Sequence, residues 1–162
     1  MVELETKVFG KVAIEDDKVI TFDHGILGFP DLKRFTLIHD VERGEDAGIH
    51  YLQSLDEPGF AMPVMDPLVV KPDYNPHVSE ELLKPVGDIT KEEILLFVTI
   101  TVPHDITKMT VNLMAPIVIN VASKKACQII AEEDGYSIKF AIYDILKAMQ
   151  DAGQDNMKKA GE

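Results

Sequence analysis

Five histidines, one cysteine and several runs of acids are the side chains that could do chemistry, and their spacing argues against it. His24, His39, His50, His77 and His104 stand singly, with no two at a metal-ligand spacing. The acids of Glu80-Glu81, Glu92-Glu93 and Glu132-Glu133-Asp134 are immediate neighbours. Adjacent acids at loops and helix starts form solvated faces or caps, whereas an acid/base pair must stand around a substrate. Cys127 lies in the apolar run Ala-Cys-Gln-Ile-Ile, which suits a small buried hydrophobe better than a reactive thiol. The sequence has no Walker loop, dinucleotide fingerprint, GxSxG elbow or CxxC pair. Nothing here calls for a metal or a cofactor. A site assembled from distant residues would leave no motif, so an enzyme or ligand-binding protein remains the alternative reading.

Charge is the most informative total. The 162 residues carry 28 acids against 16 lysines and arginines, a net charge of −12. That balance repels nucleic acid phosphates and anionic membrane surfaces and draws basic partners inward, although it also serves plain solubility. Gly25-Ile-Leu-Gly28 has the GxxG form with which one RNA-binding module clamps a nucleotide backbone. Its flanks are Asp23, His24 and Asp31, without a basic cluster, so a tight glycine turn is the reading here. Direct nucleic-acid binding and membrane binding are therefore disfavoured.

The elements that must position these residues fit one domain. A chain of this length can bury about two thirds of its unfolded surface. No apolar run approaches the roughly 20 residues of a membrane helix. The start, MVELETKVFGK, is acidic and lacks a basic-then-apolar leader. With one cysteine there is no internal disulfide, so the expected compartment is the cytoplasm.

Many short strands separated by turn signals predict a mostly-β barrel or sandwich. Residues 2–14 read as a strand that turns at Glu15-Asp16-Asp17 into a second, Lys18–Phe22. Further strands are expected at Phe35–His39, Gly48–Leu55, Phe60–Met65 and Leu68–Val70, the last between bends at Pro63, Pro67, Pro72 and Pro76. Ser79–Lys84 reads as a short helical excursion stopped by Pro85, and Thr90-Lys91-Glu92-Glu93 as a capping box. Ala126–Ala131 would complete the sheet.

The central stretch Leu95–Asn120 reads as two long apolar strands joined by a polar loop. Ile94, Leu96, Val98, Ile100 and Val102 share one face of the first. Val111, Leu113, Ala115, Ile117, Ile119 and Val121 share one face of the second, while Asn112 and Asn120 fall on the less apolar face. Pro116 cannot donate to a ladder, which puts an edge or a bulge there. Ile138, Ile142, Ile145, Leu146 and Met149 then recur at helical spacing, predicting an amphipathic helix over 138–152 with Ser137 as cap. Tyr136–Ile142 also alternates as a strand would. The expected organisation is a barrel domain over 1–137, the helix on or beside it, and a frayed tail over 153–162.

The segment Thr101-Val-Pro-His-Asp-Ile-Thr-Lys-Met-Thr-Val-Asn-Leu-Met-Ala-Pro-Ile-Val-Ile-Asn120 resembles the signature segment of the flagellar assembly factor FliW family. Phe9-Gly10, Gly25-Ile-Leu-Gly28-Phe29, Leu52-Gln53-Ser54, Asp66-Pro67 and Pro72-Asp73-Tyr74 follow the family's order, so the resemblance spans about residues 3 to 139. It implies a small barrel-like (pseudobarrel) single domain without catalysis. It further implies a partner switch, in which the protein binds flagellin and, when free of it, binds the translational repressor CsrA away from its RNA-binding surface. Family members tend to finish soon after a segment like Tyr136-Ser-Ile-Lys139, so the residues beyond it depart from the pattern. A monomer is expected. The candidate partner-binding residues are Gln53, Asp66, Asp73, Tyr74, Asn112 and Asn120, with Glu80, Glu81, Glu92 and Glu93 as candidates for repelling RNA. The edge left by Pro116 and the proline-rich stretch 63–76 are the candidate surfaces.

Overall fold

A computed structural model describes residues 2–7, 9–38, 49–76, 84–86, 94–131, 135–149 and 151. Among them the strands are β1 (Val2–Thr6), β2 (Gly10–Ile14), β3 (Ile20–Phe22), β4 (Arg34–Ile38), β5 (Ile49–Ser54), β6 (Ala61–Met65), β7 (Ile94–Thr101), β8 (Thr110–Val111), β9 (Ile117–Asn120), β10 (Lys125–Gln128) and β11 (Phe140–Ala141). Helix α1 covers 143–149, and Asp151 is helical as well. The barrel closes in the order β7-β6-β5-β4-β3-β10-β9, with β9 returning to β7 from Phe97↔Ile117 to Ile94↔Asn120. Seven strands cannot close with every neighbour antiparallel, and the parallel pair is β3 with β10.

Two cores share the wall of this barrel. Inside, Phe22, Phe35, Leu52, Val64 and Ile117 are fully buried and pack with Phe97, Ile119 and Ala126. Each such Phe, Leu or Val contributes about 2 kcal/mol of burial free energy. Outside β6 and β7, Met65, Val98, Ile100, Val111, Leu113 and Ile142 form a second cluster with Val70 and Tyr74. β7 therefore points Phe97 inward and Val98 and Ile100 outward, so both of its faces are apolar. β9 is buried at all four positions. Period two disappears wherever both faces are covered.

Several expected elements take another form. Residues 2–14 are not one strand, because β1 and β2 pair with each other from Val2↔Ile14 to Thr6↔Gly10 as a separate hairpin. The Thr6 hydroxyl makes the reversal: it donates to the Gly10 carbonyl and accepts from Phe9 N–H, both at 2.9 Å. Gly10 supplies a positive φ of 68°. Phe9 then packs edge-on against Tyr51, and Lys7 N–H reaches the Pro58 carbonyl, seating the hairpin beside the barrel. Leu68–Val70 is not a strand. Pro67–Val69 is a 3-10 turn, because Pro67 suits its first position and the Asp66 carboxylate accepts from Leu68 N–H.

The second half of the central stretch is broken. β8 pairs with the C-terminal end of β7, β9 with its N-terminal end, and 112–116 swings out between them. Asn112 accounts for the break, since its Oδ1 accepts from both Met114 and Ala115 N–H in place of a ladder. The bulge at Pro116 is thus present, but the open edge is not. Ile129 N–H donates to Pro116 O, Ala131 N–H to Met114 O, Gln128 Nε2 to Ala115 O and the Tyr74 hydroxyl to Leu113 O. The amphipathic helix also starts later than its period suggests. Phe140–Ala141 pairs with β8 as β11, carrying the sheet past residue 137, and Ser137 Oγ accepts from Lys139 N–H instead of capping α1. Of the Ser79–Lys84 excursion only Lys84 is described, within a 3-10 turn at Lys84–Val86. The capping box at 90–93 and the tail 153–162 lie outside the described residues.

Candidate partner-binding surface

Gln53 and Asn120 turn out to be internal. Gln53 has 0% exposure, and its Nε2 donates to the carbonyls of Ser54, Pro58 and Phe60 at 2.9 to 3.1 Å. It holds the β5–β6 connection from inside. Asn120, at 1% exposure, donates to Val86 O at 2.9 Å and accepts from Ala122 and Ser123 N–H. It fastens the Lys84–Val86 turn to the β9–β10 turn. A side chain without surface cannot touch a docked partner, so the expected contact role of these two residues gives way to a folding role.

The same β5–β6 connection is anchored from outside by Asp56. Its carboxylate accepts from Lys33 and Arg34 N–H and from Arg34 Nε at 2.9 Å. Burial pushes its pKa up, but the Arg34 and Lys33 amides and the Arg34 guanidinium outweigh this and hold it below the usual 3.8. A carboxylate depressed in the folded state stabilises fully above its unfolded value and loses that contribution as pH falls through the folded one. Asp56→Asn should cost about 1 kcal/mol at neutral pH and flatten the acid limb of stability below about pH 4, read by urea unfolding from pH 7 to pH 3.

The other four candidates lie on the proline-rich segment 66–76 and on the bulge that it reaches through Tyr74. The proline-rich segment 66–76 runs over the second core, and Tyr74 is its anchor. The Tyr74 ring is buried, its hydroxyl donates to Leu113 O, and it packs at 4.6 Å against Tyr136, whose hydroxyl accepts from Asn75 N–H. Asn112 lies next to Leu113, half-buried in the bulge. Asp66 caps the 3-10 turn from an exposed position. Asp73 is the most open, at 81% side-chain exposure, and faces Lys71 at 3.2 Å. Lys71 Nζ also lies 5.9 Å above the Phe140 ring, tying the segment to β11. Asp66 and Asp73 are thus exposed on the segment that the buried Tyr74 ring anchors.

Sequence reasoning missed Tyr136 and Phe140, the two rings that meet this segment. Neither carries a local signal, because the partner of Tyr136 is 62 positions away and that of Phe140 is 69. Glu80, Glu81, Glu92 and Glu93 lie outside the described residues. Cys127 is half-buried, and desolvation pushes its thiol pKa to about 11, so it is not a thiolate near neutrality. Among the described residues no three His, Cys, Asp or Glu side chains could jointly hold a metal ion, and no helix is long and apolar enough to cross a membrane.

A closed barrel filled with apolar side chains and bearing a segment clasped over its outer core is a scaffold for presenting surface, and comparison places it further. The family model described as FliW protein matches residues 3–142, and this chain belongs to the FliW family. The flagellar assembly factor FliW of Lachnoclostridium phytofermentans is 48% identical over 141 residues, covering 87% of this chain and 90% of that protein. That of Lachnospira eligens is 47% identical over 146 residues, covering 90% and 97%. A crystal structure of the flagellar assembly factor FliW superposes with a TM-score of 0.79 at 27% identity, covering 88% of this chain and 97% of that one. The mostly-β barrel expected from the sequence is the fold observed.

Proposed function

We propose that this chain is a non-catalytic partner switch of flagellar assembly: it binds flagellin and, when free of it, binds and antagonises CsrA, releasing flagellin mRNA for translation. The observation that carries this reading is membership of the FliW family over residues 3–142, with relatives named as flagellar assembly factors. The packed barrel interior supports it against the alternative of an enzyme or ligand carrier, because the space such a protein would use is taken by Phe22, Phe35, Leu52, Val64 and Ile117. The reading places the protein in the cytoplasm as a monomer.

The charge supplies a mechanism for antagonism without occlusion. A body of net charge −12 docked beside a basic RNA-binding surface lowers the local potential and repels phosphate. By reciprocity, RNA and this protein then weaken each other's hold on CsrA. The segment bearing Asp66 and Asp73, with the Asn112 bulge that it reaches through Tyr74, is the contact surface in this reading, with Glu80, Glu81, Glu92 and Glu93 adding repulsion. Raising salt from roughly 0.1 M to 1 M shortens the screening length from about 10 Å to about 3 Å. RNA release by a fixed saturation of CsrA should then weaken several-fold, measured by fluorescence anisotropy of labelled RNA. Unchanged antagonism in high salt with intact CsrA binding would remove the electrostatic part. Failure to bind either purified partner would remove the whole reading.

A further inference from the structure

Helix α1 begins one residue beyond the family-model match, which stops at 142. It leans on the second core through Ile142, which is fully buried, and through Ile145 and Leu146, which are only half-buried. Met149, one turn on, is 45% exposed. These four residues stand at i, i+3, i+4 and i+7, the spacing with which an amphipathic helix reads an apolar groove. Like most amphipathic helices in proteins, it draws its stability mainly from the packing of its apolar face. Its floor is independent of it: Val98 and Ile100 belong to β7, Val111 to β8, and the Tyr74–Leu113 bond locks the flanking segment. A firm apolar floor is therefore covered by an incompletely buried helix.

We propose that α1 is an intramolecular stand-in for an amphipathic helix of flagellin, which takes the same groove when it binds and displaces α1. The inference rests on the flagellin reading above and assigns that partner its surface. The groove's present occupant is the argument for the next one, since it already accepts a helix with this apolar spacing. Displacement also makes α1 an affinity control. If the groove is open only a tenth of the time, flagellin binds about tenfold more weakly than it would to an open groove.

Two measurements on the full chain decide it. In the first, hydrogen exchange of the unaltered protein is followed with and without purified flagellin. Amides of 143–149 should lose protection on binding, while those of β7 and β9 keep theirs. In the second, Ile145→Asp with Leu146→Asp loosens α1 but leaves Ile142 in the core, and flagellin affinity should rise about tenfold. Binding that leaves 143–149 equally or better protected overturns the inference and spares the flagellin reading. So does a folded variant with unchanged or weaker affinity. Absence of flagellin binding to both chains overturns both. Should the variant fail to fold, the exchange measurement on the unaltered chain still gives the answer.

Discussion

Gly25→Ala should cost roughly 3 kcal/mol or more, the largest effect expected from a methyl group added at any of the described glycines. Gly25 ends the turn after β3 at a φ of +68°, with its N–H bonded to Phe22 O at 3.0 Å. A Cβ there would stand 2.5 Å from the Pro30 carbonyl oxygen and 2.6 Å from that of Phe29. Both obstacles are backbone, so no rotamer change relieves them. The loop that would have to move is held at both ends, by the Ile26–Phe29 bridge and by Leu27 N–H bonded to Gln128 Oε1. It also delivers Ile26 to the barrel interior and sets Phe29 against Phe60 at 4.8 Å. Gly28 is the internal control. Its φ is +86° but a Cβ meets nothing within 4 Å, so Gly28→Ala should cost only about 1 kcal/mol. Urea unfolding of the two variants separates clash from conformational strain.

Asn120→Leu comes next, with an expected loss of about 2–3 kcal/mol. The branching and heavy-atom count are kept and β9 is buried throughout, so a purely hydrophobic account of β9 predicts little change. The hydrogen bonds predict otherwise. The substitution leaves Ala122 and Ser123 N–H without the Oδ1 they use and removes one of two donors to Val86 O, the other being Ser123 Oγ. The β9–β10 turn also carries Lys124 at a φ of +61°, an unfavourable conformation held in part by Lys124 N–H bonded to Asn120 O. Loosening the turn therefore affects the parallel β3–β10 pair that closes the barrel. Thermal unfolding monitored by circular dichroism checks the size of the effect.

The strands that read most clearly from sequence were short apolar runs beside turn residues, such as β4, β5 and β6. Legibility failed where a residue's surroundings were set by distant chain. β9 is buried on both faces, so its alternation of Val118 and Asn120 against Ile117 and Ile119 carried no information about which side was core. The break at 112–116 depends on Asn112 bonding forward to Met114 and Ala115, a choice available to any asparagine but taken here because Ile129, Ala131 and Tyr74 satisfy the displaced carbonyls. Residues 138–142 read first as the start of the helix and second as a strand, and pairing with β8 decides for a strand at 140–141. The candidate site was legible in part. An amide on a strand reads the same whether it faces solvent or a buried turn, which is why Gln53 and Asn120 were singled out as contacts. The segments behind the family resemblance turned out to tie the fold together. Phe9-Gly10 shapes a turn, Gly25–Phe29 plugs the barrel, Gln53 holds a loop, Asp66 caps a turn and Tyr74 clasps the bulge.

The central claim is a switch in which two partners compete, and one titration tests it. A preformed complex of CsrA with a labelled flagellin-leader RNA is titrated with this protein, and flagellin is then added. The account predicts that RNA is released in the first stage and rebound in the second. RNA that stays bound at saturating protein, or release that flagellin does not reverse, would contradict it.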